Sequence, residues 1–150
     1  MLIYCRIYLI MKIVNKRAGF DYEIYAKFEA GIALNGGEAK AVRTGHINLA
    51  NSYAKILSGE AYLVNADVPV PGKLDYSPTR SRKLLLHRAE IAQIELNLRQ
   101  KKLTLIPIKV YTKDRLIKLE IGLAKSKRKF EKKDALKKKD IQRDIDRELK

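Results

Sequence analysis

The 150-residue sequence contains no tryptophan, one cysteine and two histidines. The single cysteine, Cys5, cannot form an internal disulfide, and cysteine-poor chains of this kind are typical of reducing compartments. With only His46 and His87 beside it, Cys5 leaves no plausible set of zinc ligands. We therefore expect a cytoplasmic protein with no disulfide, no metal and no other cofactor.

A long apolar run is also lacking. The mostly apolar stretch Met1 to Ile10 is interrupted by Arg6, and it is too short to span a bilayer, which needs about 20 residues. It has neither the apolar length nor the small-residue cleavage site of a signal peptide. We interpret residues 1–10 as an extension before a functional start at Met11, with an added or swapped edge strand as the alternative. No membrane association is expected.

Sequence signatures of catalysis are absent too. There is no Gly-x-Ser-x-Gly motif and no Walker A motif, and Gly36-Gly37 alone indicates a turn. A metal-dependent nuclease would have to gather Glu29, Asp67 and Asp75, and nothing in their spacing requires these carboxylates to meet. We predict that the protein is not an enzyme, and the nuclease is kept as an alternative.

Positive charge, by contrast, is abundant throughout the chain. Lys and Arg number 32 against 17 Asp and Glu, a net charge of +15. The last 26 residues, Lys125 to Lys150, hold twelve basic and six acidic side chains, so this tail carries +6 and the body carries +9. Both parts are therefore expected to bind a polyanion, and RNA is the favoured one.

The tail has only a thin apolar stripe. Ile141, Ile145 and Leu149 are spaced four residues apart, which places them on one side of a helix. Three apolar side chains offer too little surface to offset the entropy of ordering an isolated helix. We predict a tail that is disordered when free and helical when bound. The alternative is a solvated terminal helix or a solubilising tail that contacts nothing.

Alternation with a period of two predicts strands in the body. From Tyr22 to Ala30 the even-numbered side chains are apolar and the odd-numbered ones mostly polar, as in a half-buried strand. Gly31 follows where a bulge or a close approach is expected. In the strand predicted at 116–123, Lys118 and Glu120 face outward. In the strand predicted at 103–111, Pro107 indicates an edge position or a bulge. The further strands are expected at 53–57, 61–64, 103–111 and 116–123.

Two helices and one long loop complete the predicted body. A short helix at 38–43 has Ala39 and Val42 inward and ends before Gly45. A second helix is predicted from Leu84 to Leu98, and the proline-rich segment from Asp67 to Arg82 reads as a surface loop. Some six short strands with small helices predict a mainly β fold. We expect an antiparallel barrel of the oligonucleotide-binding type over residues 11–124, with the basic tail at 125–150.

The end of the proline-rich loop carries a cluster of basic residues. Arg80, Arg82 and Lys83 follow Pro78 and precede an apolar triplet, Leu84 to Leu86, and then His87. Guanidinium groups bind phosphate through paired hydrogen bonds, so we predict RNA contacts here. The alternatives are ordinary core positions for the leucines and a helix cap or an exposed surface position for His87.

At these residues the chain resembles the SsrA-binding protein family, SmpB, the partner of transfer-messenger RNA. The resemblance runs from about Asn15 to Leu149 and rests on five segments that occur in the family's order and spacing. They are Asn15-Lys16-Arg17-Ala18, Phe28-Glu29-Ala30-Gly31-Ile32, Asn48 with Ser52-Tyr53, Pro78-Thr79-Arg80-Ser81-Arg82-Lys83-Leu84-Leu85-Leu86-His87, and Ile121-Gly122-Leu123-Ala124-Lys125.

The resemblance implies an oligonucleotide-binding barrel that acts as a monomer. Such a barrel would bind the tRNA-like domain of transfer-messenger RNA near its elbow and deliver this RNA to stalled ribosomes. It places Glu29, Leu85, His87 and Lys118 where the family contacts the RNA. With the basic residues of the short helix and the loop, the predicted RNA-binding set is Glu29, Lys40, Arg43, Arg80, Arg82, Lys83, Leu85, His87 and Lys118.

For the tail, the resemblance implies entry into the empty messenger channel of the ribosome, near the decoding centre. Ser126 stands where the family has glycine, and Phe130 stands where a ring could stack on a base. The predicted ribosome-binding set is Lys125, Lys127, Arg128, Phe130, Glu131, Lys132, Lys133, Ile145 and Leu149. The alternative of a different class is a barrel-type ribosomal or assembly protein that binds ribosomal RNA constitutively, with the tail as a structural arm.

Overall fold

The computed structural model describes residues 11–72, 75–113, 115–127 and 129–148, and in the last range it describes the side chains of 136–147. In these residues the chain forms seven strands and four helices. The strands are β1 (Lys12–Val14), β2 (Tyr22–Ile32), β3 (Tyr53–Leu57), β4 (Glu60–Val64), β5 (Arg82–Leu85), β6 (Thr104–Lys113) and β7 (Leu116–Ser126). The helices are α1 (Lys16–Asp21), α2 (Gly36–Arg43), α3 (Arg88–Lys101) and α4 (Lys129–Glu148).

Six of the strands close into an antiparallel barrel. The hydrogen-bonded order runs β6, β3, β4, β5, β2, β7, and β7 pairs again with β6. The short strand β1 pairs with the far end of β6, where Lys12 lies opposite Tyr111. Closure leaves the six barrel strands paired on both sides. The prediction of a mainly β fold with small helices is confirmed, and this closed barrel is compatible with the oligonucleotide-binding type.

The barrel interior is filled by the inward residues of the alternating strands. Leu63, Leu105, Leu119 and Ile121 are each at most 1% exposed. Burying one such side chain stabilises a fold by about 1.5–3 kcal/mol relative to leaving it in water. Helix α3 adds Ile94 to the same core. Because Leu119 and Ile121 of β7 are buried, the prediction that Lys118 and Glu120 face outward on this strand is confirmed.

Two irregularities bend the barrel wall. The register between β2 and β7 shifts between Ile24 and Ala26, and that between β6 and β7 shifts between Pro107 and Lys109. The predicted bulge at the proline is therefore confirmed. Gly31 is a site of close approach, because a Cβ atom there would lie 3.3 Å from the Cβ atom of Leu85.

The predicted helix from Leu84 to Leu98 is wrong at its beginning. Leu84 and Leu85 belong to strand β5, and helix α3 begins only at Arg88. Three consecutive leucines show no period, so they cannot indicate whether a strand or a helix contains them. In the short helix α2, Ala41 is buried together with Val42, whereas Ala39 is only half-buried.

The first residues of the tail, Lys125 to Lys127, are attached to the barrel; we call them the root of the tail. Strand β7 continues to Ser126, which pairs with Tyr22, and the Lys127 backbone N–H donates to the Asp21 carbonyl at 2.8 Å. Beyond this point the chain forms α4, and the described side chains of this helix, 136–147, are all exposed. A helix is common to the predicted bound tail and to the alternative of a solvated terminal helix. The disorder of the free tail stays a prediction. Among the described residues, no helix is long and apolar enough to cross a membrane. Residues 1–10 lie outside the described part of the chain.

Candidate nucleic-acid interface

A continuous row of side chains crosses the outer face of the barrel. Leu85 of β5 lies opposite Gly31 of β2, Gly31 opposite Lys118 of β7, Lys118 opposite Tyr111 of β6, and Tyr111 opposite Lys12 of β1. Directly opposed residues in antiparallel strands present their side chains on the same face. With strands about 4.8 Å apart, the row is roughly 19 Å long. We call this set the cross-strand row.

Leu85 forms the apolar end of the cross-strand row. Its side chain is 57% exposed although it occupies a strand in the barrel wall. Because glycine has no side chain, Gly31 leaves room for Leu85. A Cβ atom at Gly31 would lie 3.3 Å from the Leu85 Cβ and 3.4 Å from its Cδ1. The leucine is thus held across β2 as a small apolar platform, a surface on which a base or a ribose can rest.

Glu29 lies beside the row and is held by Tyr111. The Tyr111 hydroxyl donates to the Glu29 carboxylate. This hydrogen bond, followed by the positive charges of Lys113 and Lys118, holds the pKa of Glu29 below its ordinary value even though partial desolvation opposes the shift. An ionised carboxylate here can accept hydrogen bonds from the amino groups of bases or from ribose hydroxyls.

The second carboxylate on this face, that of Glu120, is paired with two lysines. Glu120 lies 3.2 Å from the Lys109 ammonium and 3.7 Å from the Lys27 ammonium. Lys109 also lies 5.5 Å from the centre of the Tyr111 ring. Within the described ranges, Lys118 has no carboxylate oxygen within 4.0 Å. Its charge is therefore available for a phosphate group.

His87, Lys83 and the basic residues of α2 are predicted RNA-binding residues outside the row. His87 occupies the N-cap position of α3, but its side chain makes no capping hydrogen bond, is 91% exposed and lies 3.9 Å from Glu90. Lys83 is exposed on β5 and lies 3.1 Å from Glu60. On α2, Lys40 is exposed, and Arg43 donates to the Arg115 carbonyl at 2.9 Å in the turn between β6 and β7.

Arg82, predicted to bind RNA, is instead a buried structural residue. Its side chain is 0% exposed, and its five N–H groups all have acceptors inside the protein. The Nε group donates to Glu38 at 2.7 Å, and the other four N–H groups are taken by three backbone carbonyls and a tyrosine hydroxyl. A guanidinium that is fully buried and fully bonded cannot reach a phosphate. The prediction of an RNA contact at Arg82 is therefore wrong.

Glu38 organises this buried network, and the sequence reasoning missed it. The carboxylate is 0% exposed and binds Arg80, Arg82 and Tyr76, with Tyr76 at 2.9 Å. Arg80 keeps 38% of its side chain exposed while it pairs with Glu38, so its RNA contact stays a prediction. A signal was present in the sequence, because Asn35 and Glu38 form a capping box at the start of α2.

Two of the sequence segments that prompted the resemblance meet on another part of the surface. Asn15, Arg17, Ser52 and Tyr53 line a cleft of about 240 Å³ between α1 and the start of β3. The Asn15 side chain is buried and donates to the Leu49 and Pro107 carbonyls at 3.3 and 2.9 Å. These residues therefore tie α1 to the barrel beside the root of the tail.

The predicted ribosome-binding residues are only partly described. Lys125 is exposed, and Lys127 donates from its ammonium to the Gly19 carbonyl at 3.0 Å, near the end of α1. Ile145 is 44% exposed on α4. The other predicted residues, Arg128, Phe130, Glu131, Lys132, Lys133 and Leu149, have side chains outside the described part of the structure.

The carboxylates of the nuclease alternative do not converge. Within the described ranges, no group of three or more His, Cys, Asp or Glu side chains is placed to hold a metal ion, so Glu29, Asp67 and Asp75 do not form such a group. Glu29 bonds to Tyr111 instead, and the backbone of Asp67 pairs with Asn48.

Comparison with known proteins gives a consistent result along almost the whole chain. A family model described as SmpB protein matches residues 12–150. The chain is 46% identical over 140 residues to an SsrA-binding protein of Caulobacter vibrioides, covering 91% of this chain and 92% of that protein. It is 45% identical over 139 residues to an SsrA-binding protein of Sulfurihydrogenibium sp., covering 91% of each.

A solved structure gives the same match in three dimensions. A chain from the structure described as "tmRNA-SmpB: a journey to the center of the bacterial ribosome" superposes with a TM-score of 0.65 at 40% identity. The match covers 83% of this chain and 94% of that chain.

Proposed function

This chain belongs to the SmpB family of SsrA-binding proteins, and from that premise we propose that it binds the tRNA-like domain of transfer-messenger RNA and delivers this RNA to stalled ribosomes. It acts as an RNA-binding adaptor and not as an enzyme. Because its work is done on the bacterial ribosome, its place is the cytoplasm. It needs no cofactor and functions as a monomer.

The observation that carries the proposal is the composition of the cross-strand row and its surroundings. An exposed leucine, an ionised carboxylate and a lysine without a carboxylate partner among the described residues lie together on one face of the barrel. Apolar side chains contact bases or riboses, carboxylates accept from their donors, and lysines bind phosphates. We assign Glu29, Leu85, His87 and Lys118 to this RNA contact, with Lys40, Arg43, Arg80 and Lys83 as further basic residues that bind the RNA.

The tail supplies the second half of the mechanism. Its backbone leaves the barrel at Lys127, and α4 shows that the basic segment can form one continuous helix of 20 residues. A messenger channel that holds no message can admit such a helix, and its phosphate-lined wall attracts the tail's positive charge. A channel occupied by message excludes it. The tail thus identifies stalled ribosomes through the absence of message.

The first test is to sequence the RNA that co-purifies with the protein, started at Met11 and washed at moderate salt, from its native cell. Enrichment of one tRNA-like, message-bearing RNA over ribosomal RNA would support the proposal. Recovery of ribosomal RNA alone, in proportion to ribosomes, would instead support a constitutive ribosomal protein whose tail is a structural arm. Divalent-dependent cleavage of the recovered RNA would favour the nuclease.

Replacing Lys118 by alanine should weaken binding of the tRNA-like RNA and lower the salt slope of the binding constant by about 0.7–0.9, the value for one lost phosphate contact. The expected cause is that Lys118 has no carboxylate partner in the described structure, so its positive charge is available to a phosphate group. The measurement is a salt titration of the binding constant. Lys101→Ala, at the exposed end of α3, is the control and should leave the slope unchanged. Equal slopes for Lys118→Ala and the parent protein would remove Lys118 from the phosphate contacts.

A further inference from the structure

The bond between Tyr111 and Glu29 joins two strands that are not neighbours. Glu29 lies on β2 and Tyr111 on β6, and β7 runs between them. Two strands separated by a third are about 10 Å apart, so both side chains must extend over β7 to meet. The register shows where they cross it: Glu29 lies opposite Glu120, and Tyr111 lies opposite Lys118. The bond therefore passes diagonally over β7, between these two side chains.

The same geometry bears on whether the Glu29 carboxylate forms an ion pair with Lys118. Lys113 and Lys118 are both close enough for their charges to act on Glu29. A carboxylate released from the tyrosine could turn to the Lys118 ammonium and form an ion pair. Such a pair would use the positive charge that a phosphate needs. The tyrosine hydroxyl instead holds the carboxylate, and the nearby Glu120 is already bound by Lys27 and Lys109.

We propose that Tyr111 is a positioning residue that fixes Glu29 across β7 and thereby leaves Lys118 available for an RNA phosphate, an inference that rests on the function proposed above. The ring of Tyr111 is itself fixed, because it is half-buried and the Lys109 ammonium lies 5.5 Å from its centre. Tyr111 thus keeps the two charges of the interface, one negative and one positive, from cancelling each other in the free protein.

The test is Tyr111→Phe, which removes the hydroxyl and keeps the ring. Affinity for the tRNA-like RNA should fall roughly three- to tenfold, because Glu29 pairs with Lys118 and weakens the hydrogen bond from Lys118 to the phosphate. The salt slope should fall by about 0.7–0.9, because Glu29 now competes with phosphate for Lys118. Adding Glu29→Gln to Tyr111→Phe should restore the slope, since no carboxylate remains to neutralise Lys118. The control is Tyr25→Phe, which removes a phenol hydroxyl from an exposed position on β2 and should change neither quantity.

The outcomes separate this inference from the proposed function. If the parent protein does not bind the tRNA-like RNA selectively, the proposed function fails and the inference that rests on it fails too. If the parent binds and Tyr111→Phe leaves the slope unchanged, the inference is overturned while the proposed function stands. A lowered slope that Glu29→Gln does not restore also overturns it, because the tyrosine would then act by direct contact. Equal melting temperatures for Tyr111→Phe and the parent protein exclude a loss of folding as the cause.

Discussion

Glu38→Ala is expected to destabilise the barrel by about 3–5 kcal/mol, the cost of removing one partner from a buried ion pair. The reason is that Arg82, 0% exposed, would keep its charge in the protein interior without a counterion. A domain of this size has a total stability of about 5–15 kcal/mol, so the loss would be about a fifth of it or more. Equilibrium unfolding in urea, followed by circular dichroism, measures the change. The matched control is Glu60→Ala, which removes an exposed carboxylate paired with Lys83 and should leave the unfolding midpoint nearly unchanged.

The same carboxylate predicts how stability changes with pH. Burial raises the pKa of Glu38, but the hydrogen bonds from Arg80, the Asn35 backbone, Tyr76 and Arg82 more than offset this and lower it to about 2, from 4.5. A carboxyl group whose pKa is lower in the folded state stabilises the fold fully above its unfolded pKa, and this contribution is lost as the pH falls toward the folded pKa. The stability difference between the parent and Glu38→Ala should therefore shrink from pH 5 toward pH 2. Parallel pH profiles would show that Glu38 is not the titrating group.

The parts of the fold that follow a local period were predictable from the sequence. Strands β2 and β7 alternate with a period of two because one side of each faces the barrel core, and the outward position of Lys118 follows from this pattern alone. The close approach at Gly31 was also predictable from the glycine. Its partner Leu85 could not be found in this way, because the pairing of β2 with β5 joins residues more than fifty positions apart.

The misassignment of Arg82 has a different physical cause. A local reading shows the positive charge of the segment from Arg80 to Lys83, but not whether an acceptor lies nearby in space. The acceptor is Glu38, 44 residues upstream, and only the packing of α2 against the loop brings the two together. The alternation of β5 explains the outcome: Arg82 and Leu84 point inward, and Lys83 and Leu85 point outward. Arg82 therefore points into the barrel, although a charged side chain suggests an exposed position.

Truncation after Lys127 is expected to leave RNA affinity and barrel stability nearly intact and to abolish tagging of nascent chains on stalled ribosomes. The cut keeps all of β7 and both hydrogen bonds of Lys127, which tie the end of the barrel to Gly19 and Asp21. It removes α4, whose described side chains are all exposed. The measurements are the binding constant for the tRNA-like RNA, the melting temperature and the yield of tagged product in a reconstituted translation reaction. A cut after Ala124 should lower the melting temperature as well, because it removes the pairing of Lys125 and Ser126 with β2.

Substitutions within the full-length tail separate its shape from its charge. Ile145→Asp together with Leu149→Asp removes two members of the apolar stripe and should block tagging without changing the melting temperature of the barrel, since Ile145 is already 44% exposed. Leu136→Asp is the matched control for Ile145→Asp alone, because each adds one negative charge and Leu136 is also exposed but lies on the opposite side of the helix from Ile145. Equal loss of tagging in both variants would mean that the tail acts through its charge alone. Loss of RNA binding on truncation after Lys127 would mean that the tail, and not the barrel wall, holds the RNA.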